Sequence, residues 1–212
     1  MNTYFPSDYQ AFIHTSRYAK WLDSENRREN WGETVNRYVD NLVLPKITDD
    51  ETVMAVREAI TNLDVMPSMR AMMSSGKAFD RDNTAGYNCS YLPVDDIRSF
   101  DEAMFILLCG TGVGFSVERQ YVNELPIVPM NLINLDETII VADSKEGWAW
   151  SLRTLITSLY NGVVPKWDVT RVRPAGAKLR TFGGRASGPA PLVDLFQFVV
   201  SKFKEASGEK LT

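Results

Sequence analysis

The feature that most constrains this chain is a change of hydrophobic period near residue 85. Before that point, apolar residues recur at helical spacing. After it, short apolar runs typical of strands, at 88–92, 113–117 and 138–142, alternate with helical stripes. Strands that alternate with helices indicate an α/β fold with parallel strand pairs. The sequence therefore predicts an N-terminal helical region over 1–85 and an α/β region over 86–212.

Helix starts are predicted from capping signals. Three pairs place a capping residue three positions before an acid: Thr48 with Glu51, Ser99 with Glu102, and Asp143 with Glu146. Pro191 is expected in the first turn of the last helix, and the polar segment 23–30 is expected to be a turn or a solvated helix face. Three strands are few for a parallel sheet buried on both faces, so we expect the chain to be part of a larger fold.

Composition narrows the class of protein. The 212 residues include 44% hydrophobic side chains and carry a net charge of −4, which is ordinary for a globular chain and argues against a general nucleic-acid binder. The longest apolar run, 103–109, is far shorter than the about 20 residues of a membrane span. The N-terminus has no signal-peptide pattern, and two cysteines cannot form a disulfide framework or a zinc site. We therefore expect a cytoplasmic protein without a metal site.

Two segments have a backbone suited to anions. The segment 66–70 places the Ser68 hydroxyl and free backbone N–H groups after a proline, which suits a phosphate, although a plain turn is the simpler interpretation. The segment 110–115 is a glycine turn in which Gly110 and Gly112 lie between a predicted helix and a predicted strand. A dinucleotide fingerprint needs the opposite order and the spacing G-x-G-x-x-G, so that interpretation is rejected.

Each cysteine has two interpretations. Cys89, between Asn88 and Ser90 on a predicted strand, fits a redox thiol or a buried small hydrophobe, and spacing alone favours the buried side chain. Cys109 closes an apolar helix stripe, which favours burial more strongly. The single histidine, His14, lies on an amphipathic helix and is interpreted as structural.

A basic loop spans 170–188 and contains no acid. Its cations are Arg171, Arg173, Lys178, Arg180 and Arg185. In an acidic chain, this cluster on a glycine-rich loop predicts a local anion site, with a solvated surface loop as the alternative.

The segment 82–93 resembles the first active-site strand of adenosylcobalamin-dependent (class II) ribonucleotide reductases, most closely the monomeric branch that reduces triphosphates. Five further segments agree in the same order along nearly the whole chain: 16–21, 66–70, 109–118, 143–148 and 173–189. The resemblance implies an N-terminal helical region followed by the first part of a ten-stranded α/β barrel. It also implies that a cysteine thiyl radical abstracts the ribose 3′ hydrogen, that water leaves C2′, and that a cysteine pair supplies the electrons and forms a disulfide.

The resemblance also implies roles for individual residues, and it reverses the interpretation of Cys89. Cys89 becomes the catalytic residue, as one member of the redox pair. The substrate-binding residues are Ser68, Asn88, Gly110 and Gly112. The effector-binding residues, in a loop that senses a deoxynucleoside triphosphate, are Lys178, Arg180 and Arg185.

The chain departs from the family in its cysteine count, since two thiols cannot fill the three active-site roles. The resemblance therefore implies an N-terminal component, from a split gene or a shortened chain, that is inactive alone. Its implied partners are a complementary C-terminal chain holding most of the adenosylcobalamin site, a ribonucleotide, the effector and a thioredoxin-like reductant. The alternative is a non-catalytic nucleotide-binding or regulatory module derived from the reductase fold.

Overall fold

The computed structural model describes residues 4–179 and 184–211. These residues form two compact units. The first extends to Asn88 and the second begins at Cys89. Within the described residues, no helix is both long and apolar enough to cross a membrane.

The first unit consists mostly of short helices. Its elements are α1 (Asp8–Ile13) with a π-helical turn (His14–Tyr18), β1 (Trp21–Leu22), β2 (Arg27–Arg28), α2 (Trp31–Tyr38) with a π-helical turn (Val39–Val43), α3 (Asp50–Thr61), α4 (Met69–Ser74), α5 (Lys77–Arg81) and a 3-10 turn (Asn83–Gly86). The polar segment 23–30 is mainly an antiparallel hairpin of β1 and β2, so the prediction of a turn was partly correct. Asn26, in the connection, adopts a left-handed φ of 51°.

The core of this unit lies between α2, α3 and α4. Its buried side chains are Trp31, Val35, Val39, Val53, Ile60 and Met72. The Trp31 indole N–H donates to the Thr61 carbonyl at 3.0 Å, which satisfies a polar atom inside an apolar cluster. His14 is also buried here, with Nε2 3.0 Å from Thr34 Oγ1.

The predicted start of α3 was one residue early. The capping residue is Asp49 rather than Thr48, and its Oδ2 accepts from the Thr52 N–H at 2.9 Å. Aspartate is at least as good a cap as threonine, and its position leaves Glu51 in the first turn, where an acid is favourable.

The second unit contains two β-α-β segments and a closing helix. Its elements are β3 (Cys89–Pro93), α6 (Ser99–Leu108), β4 (Gly112–Ser116), α7 (Arg119–Val122), β5 (Ile133–Ile140), α8 (Lys145–Tyr160), β6 (Val163–Asp168) and α9 (Ala190–Glu205). β3 pairs with β4, and β5 with β6, both in parallel. This confirms a mixed α/β architecture. Each sheet among the described residues has two strands, so a ten-stranded barrel is not seen within them.

Strand β6 was missed because Pro165 lies inside it. Proline cannot donate to a ladder and argues against a central strand. The register explains its presence: Val164 is opposite Asn134 and Lys166 is opposite Thr138, so the proline lies at an irregularity in the ladder. The partner strand β5 also begins earlier than the predicted 138–142.

Two further caps differ from prediction. Ser99 begins α6 without a capping box: the capping position is Arg98, which makes no side-chain cap bond. At α8 the cap is Ser144, whose Oγ accepts from the Gly147 N–H at 2.9 Å. The carboxylate of Asp143 instead forms an ion pair with Arg173 at 2.9 Å, and it does not cap the helix. Pro191 lies in the first turn of α9, as predicted.

The core of the second unit is formed by β5, β6, α8 and α9. Its most buried members are Val128, Val141, Leu155, Ile156, Leu159, Leu192 and Phe196. Trp167 packs edge-on against Phe196 with ring centroids 5.6 Å apart. α6 is joined to α8 by the ion pair of Asp101 and Arg153, with Oδ2 and Nη2 2.6 Å apart.

Candidate active site

Cys89 is the first residue of β3, and its side chain is exposed. It lies opposite Gly112 in the parallel register, and Tyr91 lies opposite Gly114. Alternate strand residues share a face, so these four residues form one face of the pair. Because two of them have no side chain, the thiol lies on an open surface. Spacing alone had favoured a buried Cys89, and that interpretation was wrong.

Ser90 points to the neighbouring strand and was not predicted as a site residue. Its Oγ donates to the Gly112 carbonyl at 3.2 Å. This bond links the residue after the thiol to the glycine opposite the thiol, so it helps to hold Cys89 in register. A serine directly after a strand cysteine was the available signal in the sequence.

The glycine turn connects α6 to β4. Gly110 has a left-handed φ of 82°, and its N–H donates to the Leu107 carbonyl at 2.8 Å. The Thr111 N–H donates to the Ile106 carbonyl at 3.2 Å, so the turn closes the helix with a left-handed glycine. Gly110 therefore ends the helix, whereas Gly112 lies beside Cys89. The structure brings only the second predicted glycine into direct register with the thiol.

Cys109 is buried, as predicted, with 1% of its surface exposed. The sequence did not predict its partner: Lys145 Nζ donates to Sγ at 3.0 Å. The same ammonium lies 4.7 Å from the centroid of the Phe105 ring. The contact joins the end of α6 to the start of α8, and no local pattern predicts it because the two residues are far apart in the chain.

Tyr91, on the face of Cys89, is hydrogen-bonded to Tyr121. This bond raises the pKa of Tyr121, and the carboxylates of Glu118 and Asp95 add to the effect. Sequence analysis missed this pair, since Tyr121 lies outside the recognised segments.

The remaining predicted substrate residues belong to the first unit. Ser68 occupies the capping position of α4, is exposed and makes no side-chain cap bond. Asn88 is exposed and directly precedes Cys89. Two residues beyond Ser68, Arg70 Nη2 is buried without a hydrogen-bond partner among the described residues.

Two segments of the basic loop, 176–179 and 184–186, pair with each other in the second unit and are called the basic hairpin below. Lys178 and Arg185 face each other in an antiparallel bridge, and Arg185 Nη1 donates to the Gly176 carbonyl at 3.0 Å. The structure thus brings two of the three predicted effector residues together. The third, Arg180, lies outside the described residues.

The comparisons with known proteins agree with this architecture. A family model described as the insertion domain of B12-dependent ribonucleotide reductase matches residues 131–202. Adenosylcobalamin-dependent ribonucleoside-triphosphate reductases from Lactobacillus gasseri and Lactobacillus helveticus are 27% and 28% identical, each over 92% of this chain. The resemblance to class II ribonucleotide reductases is confirmed. The match covers 36% of each relative, and it is their N-terminal portion.

The fold agrees with a solved class II reductase. A crystal structure of a B12-dependent (class II) ribonucleotide reductase superposes with a TM-score of 0.79 and 24% identity. The match covers 95% of this chain and 38% of the solved chain. The α/β arrangement described above is therefore that of the corresponding part of a class II reductase.

One groove of the second unit is too small for the corrinoid cofactor named by these class II relatives. A cavity of about 490 Å³ lies between β6 and α9 and is lined by Trp167, Gln197, Val200, Ser201, Lys204 and Glu205. A corrin ring with its nucleotide tail is much larger than this open groove. No group of three or more His, Cys, Asp or Glu side chains among residues 4–179 and 184–211 is placed to hold a metal ion.

Proposed function

We propose that this chain is the N-terminal component of a B12-dependent ribonucleotide reductase, active together with a complementary C-terminal chain. The overall reaction converts a ribonucleoside triphosphate and two thiols into a deoxyribonucleoside triphosphate, a disulfide and water. The observation that carries the proposal is the exposed Cys89 thiol opposite Gly112, within a chain that aligns to these reductases over 92% of its length.

Cys89 is proposed as one of the two thiols that are oxidised. When the ribose C2′–O bond breaks and water leaves, the two electrons come from Cys89 and a second cysteine, which together form a disulfide. Cys109 is a poor candidate for the second thiol because it is buried against Lys145. The second redox cysteine and the radical cysteine are therefore assigned to the complementary chain.

The other sequence-predicted roles belong to the same proposal. Ser68 and Asn88 contact the substrate phosphate and ribose, and the backbone of Gly110 and Gly112 lines the substrate. Both glycines leave backbone accessible, since neither adds a side chain. The two strands of the β3–β4 pair are proposed as the first strands of a ten-stranded barrel that the complementary chain completes.

The proposal also covers the cofactor, effector and location. Adenosylcobalamin is bound mainly by the complementary chain. Lys178, Arg180 and Arg185 contact a deoxynucleoside triphosphate effector, and a thioredoxin-like protein restores the thiols. Neither Cys89 nor Cys109 is in a disulfide, which suits a reducing cytoplasm.

The test compares the chain alone with the chain in complex. Purified chain, adenosylcobalamin, a dithiol and each ribonucleoside triphosphate are expected to form no deoxynucleotide. Adding the C-terminal two-thirds of a class II reductase is expected to restore turnover. Turnover by the isolated chain contradicts the proposal. Nucleotide binding without turnover in any complemented mixture favours the regulatory module instead.

A further inference from the structure

Cys109 is a buried thiol that the proposed reaction does not use. It directly follows the last residue of α6, and 1% of its surface is exposed. Lys145, the first residue of α8, donates from Nζ to its Sγ at 3.0 Å. The same ammonium lies 4.7 Å from the centroid of the Phe105 ring. The contact therefore places a nitrogen that can act as a nucleophile against an oxidisable sulfur, in a partly buried site.

The packing of α6 against α8 holds this pair in contact. At the other end of the two helices, Arg153 Nη2 lies 2.6 Å from Asp101 Oδ2. Asp101 and Cys109 are as far apart in the sequence as Lys145 and Arg153. The two helices therefore run antiparallel and are joined at two places. The sulfur and the ammonium meet in the folded chain without a rearrangement of either helix.

This combination of groups has the chemistry of a redox modification site. A neighbouring ammonium stabilises the thiolate, which is the form of cysteine that peroxides oxidise to a sulfenic acid. A sulfenic acid condenses with a nearby nitrogen to form a sulfenamide. Hydrogen peroxide is small enough to reach the sulfur of Cys109 during local opening, and the nitrogen of Lys145 is already in place.

We propose that Cys109 and Lys145 are a reversible modification site, in which a peroxide forms a covalent S–N cross-link between the two side chains. In the first step, the thiol and hydrogen peroxide give a sulfenic acid and water. In the second step, the Lys145 amine attacks the sulfur, the S–O bond breaks, and hydroxide leaves with the amine proton as water. The pair loses two electrons and two hydrogens, and one peroxide becomes two waters. A dithiol reverses the link: it restores the thiol and the amine and becomes a disulfide.

The test treats the whole 212-residue chain, carrying Cys89→Ser, with hydrogen peroxide. Cys109 is then the only thiol in the sequence, so no disulfide can form within the chain. Peptide mass spectrometry is expected to find the segments that contain Cys109 and Lys145 joined, with the loss of two hydrogens. The two segments are expected to separate again after treatment with dithiothreitol. In urea, which separates α6 from α8, the joined segments are expected to be absent.

Lys145→Arg removes the attacking amine but keeps the charge, because a guanidinium stays protonated. In this variant peroxide is expected to oxidise Cys109 without joining the two segments. The matched control is Lys166→Arg, which changes a lysine paired with Asp136 and is expected to retain the link. Formation of the link is expected to raise the melting temperature by about 5 °C or more, because it closes a loop in the unfolded chain. Dithiothreitol is expected to reverse this increase.

Three results overturn the proposal. They are a Cys109 oxidised to sulfinic acid without a link in the folded chain, a link that forms equally well in urea, and a joined pair that retains an additional oxygen. All three are measured in a chain with Lys145 intact, so they remain decisive if Lys145→Arg does not fold. Since no catalysis is measured, the outcome is independent of turnover in the complemented mixture.

Discussion

The two cysteines differ in solvent exposure, and this difference determines which thiol can react. Cys89 is exposed on a face shared with two glycines, and Cys109 is enclosed beneath the Lys145 ammonium. An exposed thiol can exchange with a second thiol, whereas an enclosed one cannot be reached without local opening. A substitution at Cys109 can therefore serve as the control for the same substitution at Cys89.

We expect Cys89→Ser to abolish multiple turnover in the complemented reductase while leaving folding nearly unchanged. The exchange is small and lies on an exposed strand position. Cys109→Ser is expected to retain turnover but to lose about 1–2 kcal/mol of stability, because it places a hydroxyl in a buried site. Deoxynucleotide formation and urea unfolding check both outcomes. Equal loss of turnover in the two variants would contradict the assignment of the redox thiol.

Single-residue properties were only partly predictable from the sequence. Burial of Cys109 follows from its apolar helix stripe. Its contact with Lys145 does not, because it joins the ends of two helices that are far apart in the chain. The exposure of Cys89 was predicted wrongly from spacing, since the thiol shares its face of the strand pair with two glycines, a pairing that spacing does not show.

At the scale of elements, the N-terminus of α2 is stabilised by a capping box and by an arginine bound to the same carboxylate. Asn30 Oδ1 accepts from the Glu33 N–H at 2.9 Å, and Glu33 accepts from the Asn30 N–H at 2.7 Å. Arg27 adds two bonds to the same carboxylate, each at 2.7 Å. The bonds from Arg27 and from the Asn30 N–H lower the pKa of Glu33 to about 2.

This pKa predicts acid sensitivity of the first unit. The folded pKa of Glu33 lies below its ordinary value of 4.5. Its contribution to stability is therefore complete above about pH 4.5 and is lost as the pH falls towards about 2. We expect urea unfolding to show that Glu33→Gln lowers stability at pH 7 and that the difference from wild type shrinks in acid. The carboxylate is partly exposed, so the effect is modest.

The control for this titration is Glu124→Gln, an exposed position in the second unit. It is expected to leave the acid dependence unchanged. A gap between wild type and Glu33→Gln that stays constant from neutral to acid pH would show that Glu33 acts by shape rather than by charge.

Elements were predicted best where a single local signal decides them. α6, α8 and α9 follow from apolar stripes, although the capping positions of α6 and α8 are Arg98 and Ser144 rather than the predicted Ser99 and Asp143. β6 was not predicted, because Pro165 argues against a strand despite the apolar residues around it. The irregularity in the ladder opposite this proline is what allows the strand to form. That irregularity depends on the partner strand, so it cannot be derived from the segment itself.

At the scale of the whole molecule, the proposed effector contacts lie in the basic loop, where Lys178 and Arg185 pair across two segments. Lys178 and Arg185 face each other there, and Arg185 is held to Gly176. Arg173, another cation of the basic loop, pairs with Asp143. The hairpin is therefore the better candidate for an effector with several negative charges.

We expect Arg185→Ala to weaken effector binding in the complemented reductase by about 10- to 100-fold, the value of one charge-assisted contact. The ratio of products from competing ribonucleotides is expected to change as well, because the same loop is proposed to shape the base pocket. Lys166→Ala is the control, since this lysine pairs with Asp136 on β5. An unchanged product ratio and effector affinity would identify the hairpin as an ordinary surface loop.

The larger fold was predictable mainly through family resemblance. Alternating strands and helices indicated α/β with parallel pairs, and both pairs are parallel. The alternation of strands and helices does not show which strands become neighbours in a sheet. That depends on contacts between residues that are distant in the sequence. The order of six matching segments supplied what the periodicity could not.

The two-stranded sheets also affect how the protein must be made. Among residues 4–179 and 184–211, no third strand covers the outer edges of either parallel pair, and β5 exposes Ile133 and Ile140. Open edges of this kind are templates for pairing with the wrong chain. The isolated chain is therefore expected to self-associate at high concentration until another surface covers those edges.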